Sequence, residues 1–237
     1  HYSCVLAACK GTVATVSAVA KTKEMMGEMN EADAMRDITA QASSGWLSDV
    51  PDANLHLYEN FFDKAESAAL FADLQSQTAW EQRYIKIYGK QHAEPRLTAW
   101  YGEAGKQYSY SGITLQPLPW TPLLLELKRR VDAAARTVFN SVLLNLYRDG
   151  RDSNGWHQDN EPELGHNPVI ASVSLGATRR FQMRHKFQQQ IPKVILDLTP
   201  GSLLMMTGPT QHFWQHQIPK TAKVVGPRIN LTFRVIL

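Results

Sequence analysis

Two periodicities divide the chain. Before residue 140 the recurring apolar positions fall at helical intervals; beyond it they alternate. A helix is expected over residues 31–42, ending near the turn-like Ser43-Ser44-Gly45. Asp63-Lys64-Ala65-Glu66 has capping-box spacing, and Leu70, Phe71 and Leu74 follow on one helical face. Thr121-Pro122, a capping residue followed by proline at the first helical position, announces another helix. Its apolar stripe is Leu124, Leu127, Val131, Ala135 and Val138. Short runs of period two then appear at 141–147, 169–175, 180–184, 194–198, 202–207 and 229–237. Turn signals separate them: Asp149-Gly150, Asn154-Gly155, Gly176, Pro200-Gly201 and Gly208-Pro209. Many short strands punctuated in this way predict a β-sandwich or jelly roll. With two helices covering one sheet, the fold class is α+β with a mainly β core.

Composition adds little to that picture and removes several alternatives. A chain of 237 residues, 43% hydrophobic and 20% charged, can bury a sizeable core. Cys4 and Cys9 both fall in the first ten residues, so no disulfide framework holds the main body, which suits a reducing compartment. No apolar run approaches the roughly 20 residues that span a bilayer. Residues 1–23 are rich in Ala, Val, Ser and Thr and contain no acid. A targeting peptide has such a look, but it is usually rich in arginine, and a tail or artefact is the preferred reading. The expected location is intracellular, in the cytoplasm of a prokaryote or the nucleus of a eukaryote. The net charge of +3 argues only weakly for an anionic partner.

Candidate chemistry starts at His157-Gln158-Asp159. In extended backbone, alternate side chains share a face, so this imidazole and carboxylate form two corners of a metal site. A third corner has to come from later in the chain. His216 is a good candidate, with His212 and His166 as competitors that spacing does not exclude. Two histidines and one carboxylate on one side of iron(II) leave positions open for a cosubstrate and dioxygen. Taken alone, His-x-Asp is as readily a solvated surface turn.

The last strand adds an independent signal. Arg228, Asn230, Thr232 and Arg234 alternate with Ile229, Leu231, Phe233 and Val235. The bland reading is an edge strand with one wet face. The sharper one turns the polar face into a barrel, where the arginines need anions because an isolated buried charge is too costly. A dicarboxylate such as 2-oxoglutarate would meet one of them with a bidentate fork, and Asp159 or the inner carboxylate the other. Asn145 and Tyr147 share a face in the same manner.

Asn145-Leu146-Tyr147, His157-Gln158-Asp159, His216 and Arg228-Ile229-Asn230-Leu231-Thr232-Phe233-Arg234, in this order, resemble the complete signature of the AlkB family of Fe(II)/2-oxoglutarate-dependent dioxygenases. The similarity runs from about Arg83 to the C-terminus and is nearest to the homologues that repair duplex DNA. Further similar stretches include Pro95-Arg96, Tyr110-Ser111-Gly112 and residues 171–180 and 201–206.

The resemblance implies a double-stranded β-helix with N-terminal helices on one sheet and a nucleotide-recognition lid. Residues 1–52 would be an extension, partly helical or mobile, and 53–237 the oxygenase domain, with the lid at about 80–115 and the core at about 140–237. His157, Asp159 and His216 would ligate Fe(II). Asn145, Tyr147, Arg228, Asn230, Thr232 and Arg234 would surround 2-oxoglutarate. Tyr101 and Tyr110 would line a base pocket beside His157, with Ser111 also near the substrate. Tyr88 would fill the gap left by a flipped base, and Glu161 would contact the exocyclic amine of the lesion.

The activity so implied consumes 2-oxoglutarate and O2, gives succinate and CO2, and oxidises a methyl group on N1 of adenine or N3 of cytosine, which leaves as formaldehyde. The partner would be DNA with a flipped damaged base, since a base in a duplex cannot reach the metal, and the protein a monomer without membrane contact. Arg179, Arg180, Arg184, Lys186 and Lys193, with no acid over 178–194, suit phosphate contacts. Arg96 could contact phosphate or pair with an acid, and Trp156, of opposite parity to His157, is read as packing. RNA or single strands as substrate of the same chemistry, and a metal-free nucleic-acid-binding barrel, are the rival readings.

Overall fold

The structure, a computed structural model, describes residues 38–39, 45–47, 49–87, 89–106, 108–110 and 113–237. Its strands in chain order are β1 (Ile38–Thr39), β2 (Gly45–Trp46), β3 (Asn54–Tyr58), β4 (Tyr84–Ile87), β5 (Lys90–Ala93), β6 (Leu97–Gly102), β7 (Tyr108–Tyr110), β8 (Ile113–Leu115), β9 (Ser141–Tyr147), β10 (Asn154–His157), β11 (Ile170–Gly176), β12 (Arg179–His185), β13 (Val194–Leu198), β14 (Ser202–Thr207), β15 (Trp214–Ile218) and β16 (Arg228–Arg234). The helices are α1 (Lys64–Gln77), α2 (Pro122–Ala135) and the single turn α3 (Thr210–Phe213).

A major sheet runs β2-β3-β14-β11-β16-β9-β6, and a minor sheet runs β1-β13-β12-β15-β10. Two hairpins, β4-β5 and β7-β8, stand apart from them. The expected double-sheet jelly roll is what forms. α1 and α2 cover the outer face of the major sheet: Leu74, Leu124, Leu127 and Val131 pack with Val142, Leu144, Val173, Leu231 and Phe233. A second core between the sheets joins Leu55, Leu57 and Met206 to Phe181, Leu196 and Trp214.

Local chemistry explains the helix starts. The Asp63 side chain accepts a hydrogen bond from the Glu66 N–H, and Thr121 accepts one from the Leu124 N–H. Glu66 does not complete a reciprocal box; its carboxylate pairs with Arg130 of α2 and ties the two helices together. α2 ends at Arg136 in the left-handed region, so Val138 leaves the expected stripe and is 74% exposed.

Several expectations are corrected. The helix expected over 31–42 falls mostly outside the described residues, and the β-branched pair Ile38-Thr39 within it is a strand, parallel to Val194 and Ile195. Asn154-Gly155, read as a turn, begins β10. The final strand stops at Arg234, where the Asn140 side chain accepts from the Ile236 N–H and donates to the Ile236 carbonyl. Residues 97–102 of the expected lid form β6, the edge of the major sheet, paired with β9. β3 has no counterpart among the expected runs, although Leu55 and Leu57 alternate with His56 and Tyr58. Within the segment read as an extension, β1 pairs with β13 and β2 with β3. Among the described residues no helix is long and apolar enough to cross a membrane.

Candidate active site

β16 lies in the middle of the major sheet, between β11 and β9, and its parity divides the molecule. Ile229, Leu231 and Phe233 join the core under the helices. Arg228, Asn230, Thr232 and Arg234 face a cavity between the two sheets, and all four are buried. The edge-strand reading is therefore wrong for this segment. Register extends the polar face sideways: Asn230 pairs with Asn145 on one side and Ser174 on the other, and Arg228 pairs with Tyr147. Asn230 donates to Ser172 Oγ at 2.8 Å, and the Thr232 hydroxyl donates to Asn230 Oδ1 at 3.0 Å.

The minor sheet contributes the histidines. β10 pairs with β15 so that His157 stands opposite His216, with ring centroids 4.2 Å apart. Asp159 follows just beyond β10, its N–H donating to the buried Gln211 side chain at 2.9 Å. One ligand atom from each of His157, Asp159 and His216 lies within 4.8 Å of the others. His157 Nδ1 meets the Gly155 carbonyl at 2.7 Å, a contact that needs a proton on Nδ1, and Nε2 lies 3.2 Å from the Asn154 amide nitrogen. The competing histidines are elsewhere: His212 bonds to Asn167, and its ring lies 4.9 Å from that of His166.

Electrostatics prepare this cluster for a cation. Burial would raise the Asp159 carboxyl, but Arg234, then His216 and His157, outweigh it and bring it down to about 2. Arg234 donates to Asp159 Oδ1 at 2.9 Å. Burial, then His157, pulls the His216 imidazole down to about 3, against the raising effect of Asp159. At neutral pH the set is thus a carboxylate with a neutral His216, the donor states a divalent metal needs.

At the other end of the polar face is Arg228, 1% exposed. It donates to Ser174 Oγ at 2.8 Å, while its Nε and one terminal nitrogen have no hydrogen-bond partner among the described residues. Burial lowers it to about 10, so it still carries its charge at neutral pH.

Other expected residues divide. Tyr101 does not line the cavity: it is 4% exposed beneath the helices, and its hydroxyl accepts from the Ala79 N–H. Its neighbour Trp100, of opposite parity, faces the cavity instead. Tyr88 and Ser111 lie outside the described residues, and so does the side chain of Tyr110, whose backbone belongs to β7. Glu161 precedes the turn at Pro162–Leu164, outside the cavity lining, with Oε2 buried and unpartnered. Arg96, left undecided by sequence, lines the cavity, with Nε donating to Asn145 Oδ1 at 2.9 Å and a terminal nitrogen 3.3 Å from Glu94. Trp156 carries the Arg184 guanidinium over its ring at 4.4 Å. Arg179 leaves the basic surface cluster, because it is buried; Arg180, Arg184, Lys186 and Lys193 are exposed. Gln211, Ser172 and Ser174 carried no sequence signal, since each acts through a neighbour that only the fold supplies.

Residues 54–234 match the model of the 2OG-Fe(II) oxygenase superfamily. The chain is 43% identical over 198 residues to alpha-ketoglutarate-dependent dioxygenase alkB homolog 3 of Mus musculus, a match covering 80% of this chain and 68% of the relative. It is 42% identical over 189 residues to the DNA oxidative demethylase ALKBH2 of Homo sapiens, covering 76% and 72%. In fold it resembles the solved structure of OsALKBH1, with a TM-score of 0.56 at 17% identity, over 76% of this chain and 96% of that one.

Proposed function

The chain belongs to the AlkB family of 2OG-Fe(II) oxygenases, and on that premise we propose that it oxidatively demethylates nucleic-acid bases, with DNA as the substrate. One juxtaposition carries this reading: the convergent His157, Asp159 and His216 share a cavity with a buried, charged Arg228, two of whose three nitrogens have no hydrogen-bond partner among the described residues. A bare metal-binding barrel has no use for the second feature, and an anion-binding pocket none for the first.

The residues fit the cofactors that the family implies. His157, Asp159 and His216 would hold iron(II), and Arg228 would grip the far carboxylate of 2-oxoglutarate through a two-pronged contact. Asn145, Tyr147, Asn230 and Thr232 would surround the rest of that molecule. Bound together, iron and 2-oxoglutarate supply the oxidising power, with dioxygen consumed and succinate and carbon dioxide released. The protein's own part is placement and charge. Arg234 keeps Asp159 ionised and fixes the oxygen it touches. Asn145 is held by Arg96, which leaves its amide nitrogen to donate.

A base stacked in a duplex cannot reach such a cavity, so the lesion enters flipped out or from a single strand. Methylation at N1 of adenine or N3 of cytosine removes pairing and lowers that cost. Trp100 puts an aromatic side chain in the cavity wall. Exposed Arg180, Arg184, Lys186 and Lys193 suit backbone phosphates.

The test is formaldehyde release from N1-methyladenine and N3-methylcytosine placed in duplex DNA, single-stranded DNA and RNA. DNA turnover that requires iron(II) and 2-oxoglutarate is expected. Turnover of RNA alone would move the substrate to that class, and none on any of the three, with 2-oxoglutarate still bound, would remove the demethylase reading.

A further inference from the structure

Arg179 opens β12 and is only 2% exposed. Its terminal nitrogens donate three hydrogen bonds, all to backbone carbonyls: Asp149 at 3.0 Å, Asp152 at 2.8 Å and Pro219 at 2.8 Å. These acceptors belong to two separate segments, one following β9 and one following β15. The same segments meet again where the Thr221 N–H donates to the Gly150 carbonyl at 2.8 Å.

The Arg179 guanidinium carbon stands over the Tyr147 ring at 5.5 Å from its centroid, and that of Arg228 stands over the same ring at 5.3 Å. Among the described residues, neither arginine has a carboxylate within ion-pair distance. The acids nearest in sequence to the bridge are engaged elsewhere, Asp152 by Arg148 at 2.7 Å and Asp149 by Arg151 at 2.6 Å. Two buried cations therefore share one ring with no described carboxylate in contact, and Asp152 and Asp149 favour the Arg179 charge only from beyond ion-pair distance. Dipoles solvate Arg179, but the combined positive potential at this end of the cavity favours an incoming anion.

We propose that Arg179 is a positioning residue for 2-oxoglutarate: by bridging the two segments it holds Tyr147 beside Arg228, and its charge strengthens the hold on the distal carboxylate. This rests on the reading of the cavity as the 2-oxoglutarate site. The bridge needs a guanidinium, whose rigid fork reaches three acceptors at once; lysine keeps the charge but brings a single compact ammonium.

The experiment is calorimetric titration of 2-oxoglutarate onto the full chain loaded with iron(II), without dioxygen, so that binding is read in the absence of turnover. Arg179→Lys should raise the 2-oxoglutarate dissociation constant roughly tenfold, and Arg179→Gln further, within the range typical of residues supporting a site. Iron affinity and the KM for methylated DNA should stay as in the wild type. Gly150→Ala attacks the bridge with Arg179 intact, because its Cβ would stand 2.4 Å from the Thr221 carbonyl, and it should weaken 2-oxoglutarate in the same direction. Wild-type affinity in folded Arg179→Lys overturns the proposal, as does equal weakening of iron, DNA and 2-oxoglutarate, which marks a general structural loss. If the Arg179 variants do not fold, unchanged affinity in Gly150→Ala overturns it. Failure of the wild-type protein to bind 2-oxoglutarate overturns the reading of the cavity instead.

Discussion

Arg228 meets the cavity with a full charge and, besides Ser174 and the Tyr147 ring, little to balance it. Such a group costs stability until an anion arrives, and apolar replacements of buried charges are often neutral or stabilising. Arg228→Met is therefore expected to leave the melting temperature unchanged or raised while 2-oxoglutarate binding weakens by about 2–5 kcal/mol. A variant with lowered stability and intact binding would contradict the assignment. His216 makes a pH-dependent case in the metal-free protein. Unfolded, it takes up a proton below its ordinary 6.5; folded, its burial delays that to about 3. Its contribution is therefore complete above about pH 6.5 and falls by about 1.4 kcal/mol per pH unit as acid is added, down towards pH 3. Urea unfolding at about pH 7 and about pH 5.5 reads this slope, which His216→Gln should reduce.

At the level of elements, the helices and the site are separated by the major sheet. Thr121→Ala removes the cap of α2 and should cost about 1 kcal/mol in urea unfolding, with 2-oxoglutarate affinity unchanged because α2 packs on the face away from the cavity. Coupled losses would contradict that separation. The elements also decide what sequence could reveal. The parity of β16 was readable because a strand alternates strictly, and the same alternation that buried Leu231 aimed Asn230 and Thr232 at the cavity. Parity does not tell which face is which. For β6 that choice is made by pairing with β9, where Trp100 meets Leu143 and Tyr101 meets Val142, and it turns Trp100 to the cavity in place of the Tyr101 that the resemblance implies. Spacing does not separate His216 from His212, the family resemblance does, and the turn α3 sends His212 towards Asn167. Arg179 and Arg180 are adjacent in sequence, yet one is buried among carbonyls and the other pairs with Asp197 at the surface. Pairing partners and loop closure are long-range facts, and local pattern does not carry them.

At the largest scale described, helices, major sheet and minor sheet form three layers, with the cavity between the two sheets. The minor sheet brings the histidines, the major sheet brings Arg228 and Arg234, and neither alone makes a site. Outside the cavity the exposed Lys186 and Lys193 should act on DNA through phosphate alone. Replacing either by alanine should weaken binding evenly across sequences and reduce the slope of log affinity against log salt by about 1. An unchanged slope would take these lysines out of the interface. Both sheets are expected to converge on one metal-and-diacid centre, and anaerobic titration reads that convergence. Iron(II) is added to the protein and then 2-oxoglutarate, and the visible spectrum is followed. A weak charge-transfer band that needs both additions is predicted for the wild type and should be absent from Asp159→Ala. A folded wild-type protein without the band, or an equal band in Asp159→Ala, would contradict the account.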